Sequence, residues 1–272
     1  LGNAAKVRNR GFEIELDADI IRKKDLTLSV GINGTHYRTT LLSVPADQIP
    51  NYDETMDLPK GCWTVATEDM AQAGTASHAG RGIFYLRGEG KDLFNLYMPK
   101  YAGVDEKSGL PLYWHRVTYY DVNMNETTGV YEHGGRYANY KVGDNVKTDV
   151  AADASYYEVG SATPDWIGGL TLSLKWKDFD FSVVSAYQIG GKFFSMEYSQ
   201  HLFRGSSMGR QRIPVSKDLV GNTWNPDNTS AYYPMQWFPS SGASSYYLDG
   251  SLLPGSHNYT DMSLFDASYF RV

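Results

Sequence analysis

Phe12-Glu13-Ile14-Glu15-Leu16-Asp17-Ala18-Asp19-Ile20 places an apolar residue at every second position, and after Arg22-Lys23-Lys24-Asp25 the pattern resumes in Leu26-Thr27-Leu28-Ser29-Val30-Gly31-Ile32-Asn33. Side chains of a strand alternate between faces, so each run has one apolar and one polar face. Two such runs around a short polar break predict a β-hairpin near residues 11–34.

The unit returns downstream. Leu170, Leu172, Leu174 and Trp176 alternate with Thr171, Ser173 and Lys175; after Lys177-Asp178, Phe179, Phe181 and Val183 alternate with Asp180 and Ser182. This predicts a second hairpin near 167–192, with Trp176 and Phe179 flanking its turn as in the aromatic girdle of a membrane barrel. Polar stretches rich in Gly and aromatics fill residues 36–82, 104–160 and 195–262, and are read as long extracellular loops. Short turns at one end of the strands and long loops at the other are the asymmetry of an outer-membrane barrel. A soluble sandwich would not favour it.

Composition agrees. Tyr numbers 21 and Trp 6, with 27 Gly, yet mean hydropathy is −0.43; a wall with one lipid face and one wet face has that balance. A formal net charge of −6 without a dense Lys/Arg stripe argues against nucleic acid. No run reaches the roughly 18–20 apolar residues of a helical span. Cys62, the only cysteine, can form no internal disulfide and reads as an unreactive loop residue.

Six stretches carry a family resemblance, in order along the chain. They are Asn9-Arg10-Gly11-Phe12-Glu13-Ile14-Glu15-Leu16, then Tyr101-Ala102-Gly103-Val104-Asp105 continuing to Gly109-Leu110-Pro111-Leu112-Tyr113. Next come Gly160-Ser161-Ala162-Thr163-Pro164-Asp165-Trp166-Ile167-Gly168-Gly169 and Tyr187-Gln188-Ile189-Gly190-Gly191-Lys192. Thr223-Trp224-Asn225-Pro226-Asp227-Asn228 and Asp266-Ala267-Ser268-Tyr269-Phe270-Arg271-Val272 complete the series. Together they resemble TonB-linked outer-membrane proteins of the SusC/RagA type. The resemblance implies an all-β fold, an antiparallel transmembrane β-barrel of about 22 strands, of which residues 1–272 form a later part. It implies the outer membrane of a Bacteroidetes-like bacterium, a SusD-like surface lipoprotein as lid, and TonB acting through a plug region not visible here. Oligosaccharides or oligopeptides would be the cargo, with membrane lipid and lipopolysaccharide as surroundings. Two hairpins cannot close such a barrel, and open sheet edges are not tolerated in lipid, so the plug and last strands are expected elsewhere.

Each cluster of candidate chemistry has a plainer reading. Glu13, Glu15, Asp17 and Asp19 sit about 6.5–7 Å apart along one face, within the range of an inverting glycosidase pair. Acid/base work needs two carboxylates in contrasting surroundings, however, and four equivalent ones read as a lumen wall. Asp121, Asn123, Asn125 and Glu132 echo a calcium loop, but Glu126 occupies the glycine position and no cofactor is expected. The six histidines are scattered singly. No catalytic motif stands out, so no enzymatic role is expected. Tyr113, Trp114, Tyr119, Tyr120, Trp224, Tyr232, Trp237 and Tyr246 are the candidate ligand- or lid-facing aromatics, since flat rings with polar edges stack on sugars and peptide side chains.

The rival is a soluble all-β carbohydrate-binding or glycoside hydrolase domain, with Glu13 and Asp17 as its acid/base pair. A surface barrel for adhesion or assembly is a third reading.

Overall fold

The structure is a computed structural model, and it describes residues 5–45, 49, 58–67, 83–122, 136–202, 216–235 and 260–272. Both expected hairpins form. β1 (Lys6–Lys23) pairs with β2 (Leu26–Ser43), and β10 (Trp166–Trp176) with β11 (Phe179–Ile189). β2 and β10 are antiparallel neighbours, and β14 (Tyr269–Arg271) adds to β11, giving a five-stranded sheet in the order β1-β2-β10-β11-β14. Each hairpin closes in two residues. Lys177 takes φ 54, a left-handed conformation of the kind tight hairpin turns require. Its N–H donates to the Asp25 carbonyl at 2.9 Å, joining the two turns.

The register decides the faces. Leu16, Ile32, Leu170 and Ser185 lie in one cross-strand row, Ala18, Val30, Leu172 and Val183 in the next, then Leu28, Leu174 and Phe181, and finally Leu26, Trp176 and Phe179. A bulge at Ile20 moves Ile21 opposite Leu28 and keeps the row apolar. The other face carries Glu13, Glu15, Asp17 and Asp19 beside Asn33, Ser29, Thr171 and Ser173. Apolar side chains on the first face lie open: Leu16 is 62% exposed and Phe179 72%.

Aromatics bound this face at both ends. Trp176 stacks on Phe179 at the turn, centroids 6.3 Å apart, with the Lys177 ammonium 5.7 Å from the Trp176 ring. At the far end Phe12, His36 and Trp166 cluster with centroids 5.2–5.6 Å apart. The His36 Nδ1–H donates to the Asp165 carbonyl at 2.6 Å. Tyr187 crosses Gly168 and Gly34 there, its hydroxyl donating to the Asn33 carbonyl at 2.9 Å. A Cβ on Gly168 would strike that ring and the Asn33 carbonyl. The 11 residues of β10 thus carry a Trp at each end. At about 3.3 Å per residue this is roughly 33 Å of strand, and at a tilt of about 40° roughly 25 Å of height, the apolar band of a transmembrane barrel.

The hairpins depart from their expected bounds. β1 and β2 run to Lys6 and Ser43, well past 11–34, because the ladder continues where polar residues replace apolar ones. β11 stops at Ile189, before Gly190 and Gly191 with φ 75 and 78; β12 (Lys192–Phe194) then pairs with β13 (Leu264–Asp266).

The expected long loops are also corrected, since each has structure of its own. β3 (Cys62–Ala66), β4 (Phe84–Gly88), β5 (Asn95–Pro99) and β9 (Tyr156–Ser161) form a four-stranded sheet; β6 (Tyr101–Val104), β7 (Pro111–Arg116) and β8 (Asn145–Thr148) form a three-stranded one. Short helices α1 (Tyr119–Val122) and α2 (Met196–Leu202) follow β7 and β12. Ile83, Leu96 and Met98 make a buried core with Val159, Phe194, Met196 and Leu264 around it; Leu202, Leu219 and Tyr233 make a second, with Tyr198 and Met262. Cys62 lies in β3 rather than a loop, and burial raises its thiol pKa. This cap is stitched to β2 by Leu41 N–H to Lys91 O (3.0 Å), Gly90 N–H to Leu41 O (2.8 Å) and Leu93 N–H to Thr39 O (3.2 Å).

The two faces predict unequal tolerance. In the intact protein reconstituted in bilayers, Leu172→Arg is expected to cost about 2–4 kcal/mol of unfolding free energy. Thr171→Arg, one residue away on the polar face, is expected to cost less than about 1 kcal/mol. Equal losses in a urea titration would contradict the assignment of faces.

Candidate functional site

The cap gathers several sequence motifs at one place. After β6 the chain turns on Asp105, whose Oδ1 accepts the N–H groups of Ser108 (2.7 Å) and Lys107 (2.9 Å) and the Ser108 hydroxyl (3.0 Å). These donors, the Ser108 N–H foremost, hold the carboxyl below its usual range. Gly109 at φ 74 leaves space that the Trp224 indole fills; a Cβ would collide with it. Trp224 Nε1–H donates to the Glu106 carbonyl (3.1 Å), and Met235 N–H to the Gly109 carbonyl (2.9 Å). Trp224 therefore locks residues 223–235 onto the 105–109 turn.

The segment so anchored delivers Tyr232 to β6. The Tyr101 hydroxyl donates to the Tyr232 carbonyl (2.7 Å) and the rings meet edge to face at 5.8 Å. Tyr233 turns inward, 4.9 Å from the Tyr232 ring and with its hydroxyl 3.1 Å from that of Tyr198, which donates to Asp218 at 2.6 Å. From the other side a 3-10 turn, Asp261–Ser263, brings Asp261 under β6, where its Oδ1 accepts the Tyr101 N–H at 2.8 Å. Tyr101, Ala102, Gly103, Trp114, Tyr232 and Asp261 line a cleft of about 350 Å³. Burial raises the Asp261 pKa, against the Tyr101 N–H and the positive charge of Lys100, both of which lower it. A carboxylate among three rings is suited to an organic cation, an ammonium or a guanidinium.

Period-2 alternation in β7 separates neighbours. Pro111, Tyr113 and His115 point inward while Leu112, Trp114 and Arg116 are partly open. Tyr113, expected to face ligand, is 1% exposed and packs in the interior, whereas Trp114 reaches the cleft. Tyr232 is 57% exposed. Trp224 is engaged by the 105–109 turn. Tyr119 and Tyr120 start α1, and Trp237 and Tyr246 lie outside the described residues. Tyr101 and Asp261 were not among the expected residues; they meet across 160 positions of sequence, a contact that no local pattern carries.

Asp121 is occupied internally. Its Oδ2 accepts the Thr118 N–H (2.5 Å) and hydroxyl (2.6 Å) and lies 3.2 Å from His115 Nε2, off the line of a hydrogen bond. His115 Nδ1–H donates to the Asp153 carbonyl at 2.5 Å, and Tyr137, 4.1 Å from the imidazole, donates to Asp153. Asn123, Asn125 and Glu132 lie outside the described residues. Among the described residues no group of three or more His, Cys, Asp or Glu could hold a metal ion. Of the acidic row, Asp19 accepts the Ser29 hydroxyl at 2.7 Å and lies 3.7 Å from Arg22.

The sheet, its girdles and its structured cap give an all-β, antiparallel fold of the kind that forms part of a large β-barrel. No protein-family model and no curated protein matches the chain. Solved structures do. The RagAB peptide transporter matches with a TM-score of 0.61 at 18% identity, over 99% of this chain and 22% of that one. The RagAB peptide importer matches in its closed-closed state (0.60, 17% identity, 98% and 22%) and in its open-open state (0.57, 17% identity, 98% and 21%). The chain spans about one fifth of the length of the chains it matches, and the likeness is one of fold.

Asp261 predicts a pH signature. A carboxyl whose folded pKa is raised stabilises the protein most below its unfolded value, and that contribution disappears as pH rises through the folded pKa. Asp261→Asn, keeping the acceptor for Tyr101 N–H, is therefore expected to be more stable than the parent near pH 7, with the difference shrinking toward pH 4. A difference independent of pH in denaturant titrations would contradict it.

Proposed function

We propose that the chain is part of the wall and extracellular cap of a SusC/RagA-type, TonB-dependent importer in a bacterial outer membrane. In this reading residues 1–272 belong to one barrel unit whose acidic row, Glu13, Glu15, Asp17 and Asp19, faces the lumen. The observation that carries it is the apolar face, about 25 Å tall and closed by an aromatic ring at each end. The fold likeness to RagAB chains supports it. A SusD-like lipoprotein closes the mouth, and TonB acts through a plug region of the same transporter. No catalytic step is assigned to this chain.

The cargo is an oligopeptide. The structural neighbours are described as peptide transporters, and a cleft with Asp261 between Trp114, Tyr101 and Tyr232 fits a basic side chain or an amino terminus. Oligosaccharides would stack on the same rings but bring no cation of their own to the carboxylate. A soluble carbohydrate-binding domain would expose Leu16, Phe179 and Phe181 to water as a continuous patch, a surface that drives association.

The test is fractionation followed by uptake. The intact protein is expected in the outer-membrane fraction, soluble only with detergent. Trp114→Ala and Tyr232→Ala should each raise the half-saturating concentration of a basic peptide about two- to twelvefold, as for rings contributing roughly 0.5–1.5 kcal/mol each, at unchanged surface amount. Asp261→Asn should weaken basic peptides more than neutral ones. A folded protein that stays soluble without an amphiphile would overturn the transporter reading in favour of the soluble one.

A further inference from the structure

Above the outer aromatic ring the same face of the sheet changes character. Along β1 the outward positions before Phe12 are Lys6, Arg8 and Arg10, and on β2 the position beyond His36 is Arg38, directly opposite Arg10. Like charges directly opposite on an antiparallel pair repel, yet only Arg38 has a carboxylate partner, Asp165. Among the described residues Lys6, Arg8 and Arg10 form no ion pair, and all three lie in an exposed run of β1. The acidic residues of this strand are on the opposite face. Near Thr40 the carboxylate of Asp92 is occupied by the Phe94 N–H and the Ser161 hydroxyl.

The height of the row names its partner. Alternate residues of a strand are about 6.7 Å apart, so at a tilt of about 40° Arg10 and Arg38 stand roughly 5 Å above the aromatic ring and Arg8 roughly 10 Å. The polar zone of a bilayer begins at the edge of the hydrocarbon and is roughly 5–8 Å deep on each side. Arg10 and Arg38 stand at that depth, where guanidinium groups meet phosphates and can grip them bidentately; Arg8 at roughly 10 Å and Lys6 at roughly 15 Å reach it by leaning their long side chains down toward the ring. An anion beside Arg10 would supply the counter-charge that Asp165 already gives Arg38.

We propose that Lys6, Arg8, Arg10 and Arg38 form a seat for the phosphate groups of a phosphorylated glycolipid in the outer leaflet. The seat rests on the membrane reading above, and adds to it which residues grip the lipid and by what chemistry. An acidic surface of the lid protein is the competing occupant; the seat's position on the lipid face, continuous with the apolar band, favours the lipid.

The test uses the intact protein in detergent micelles with bis-phosphorylated lipid A as probe, bound lipid being counted by native mass spectrometry. Lys6→Gln/Arg8→Gln/Arg10→Gln is expected to weaken lipid A binding at least about tenfold, since each cation near an anionic surface contributes on the order of a factor of five. Lipid A stripped of its phosphates should bind the parent as weakly as the variant binds native lipid A. Arg8→Lys/Arg10→Lys keeps the charge but loses the bidentate grip, and should bind between the parent and the triple Gln variant; Glu13→Gln/Glu15→Gln on the other face should leave binding unchanged. Retention of the heat-dependent gel shift of a folded barrel would exclude misfolding. Unchanged lipid A binding by the triple Gln variant would overturn the seat while the transporter reading stands. The same holds if that variant keeps the lipid but loses an acidic partner protein. A parent protein that needs no detergent would overturn both.

Discussion

A slip of one residue between β2 and β10 would turn Leu28, Val30 and Ile32 toward Thr171 and Ser173 and break the apolar face in two. The register that prevents it is the constraint on which the rest of this molecule depends. In lipid every backbone donor must be paired within the sheet, so the strands must be laddered without gaps. The period of two then commits each residue to one of two solvents. Two-residue turns at Lys24-Asp25 and Lys177-Asp178, tied by the bond from Lys177 to Asp25, set that register at one end. At the other, Tyr187 lying over Gly168 and Gly34 sets it again, because only glycine leaves room for the ring.

The cap obeys a different physics. Its strands are only three to six residues long, and they are held by two small clusters of ordinary buried side chains. What gives the cleft its shape is a set of single contacts between distant segments: Trp224 on Gly109, Tyr101 on Tyr232, Asp261 under Tyr101. Each uses a group with both an apolar body and a polar handle, which fits a region wet on most sides.

This contrast explains what could be read from the sequence. The four long strands were legible because alternation against lipid leaves an unbroken signature, as in Leu170 to Trp176. Their extensions were not, since Lys6 to Arg10 hold one apolar residue, Val7, among four polar ones, and the ladder there rests on backbone bonds and on the Thr39 hydroxyl donating to Asn9. The second girdle was hidden because Phe12, His36, Trp166 and Tyr187 come from four strands and form a ring only when paired. In the cap, β5 joins β9 across some sixty residues, and no local pattern announces such a partner. Trp114 and Tyr113 show the limit most plainly: adjacent in sequence, identical in apparent suitability, and separated by the parity of β7 alone.

β1 and β2 do not end where the apolar face ends. Each runs 18 residues, the ladder between them shifting register only near its two ends, at Lys6/Val7 and at Asp19/Ile21, and the upper half of β2 is bonded to the cap through Thr39, Leu41, Gly90, Lys91 and Leu93. The ribbon therefore behaves as a rigid mast stepped in the wall, with no joint at the level of the membrane surface. A sideways load that reaches the ladder below Leu41 is carried down the mast as a tilt of the wall.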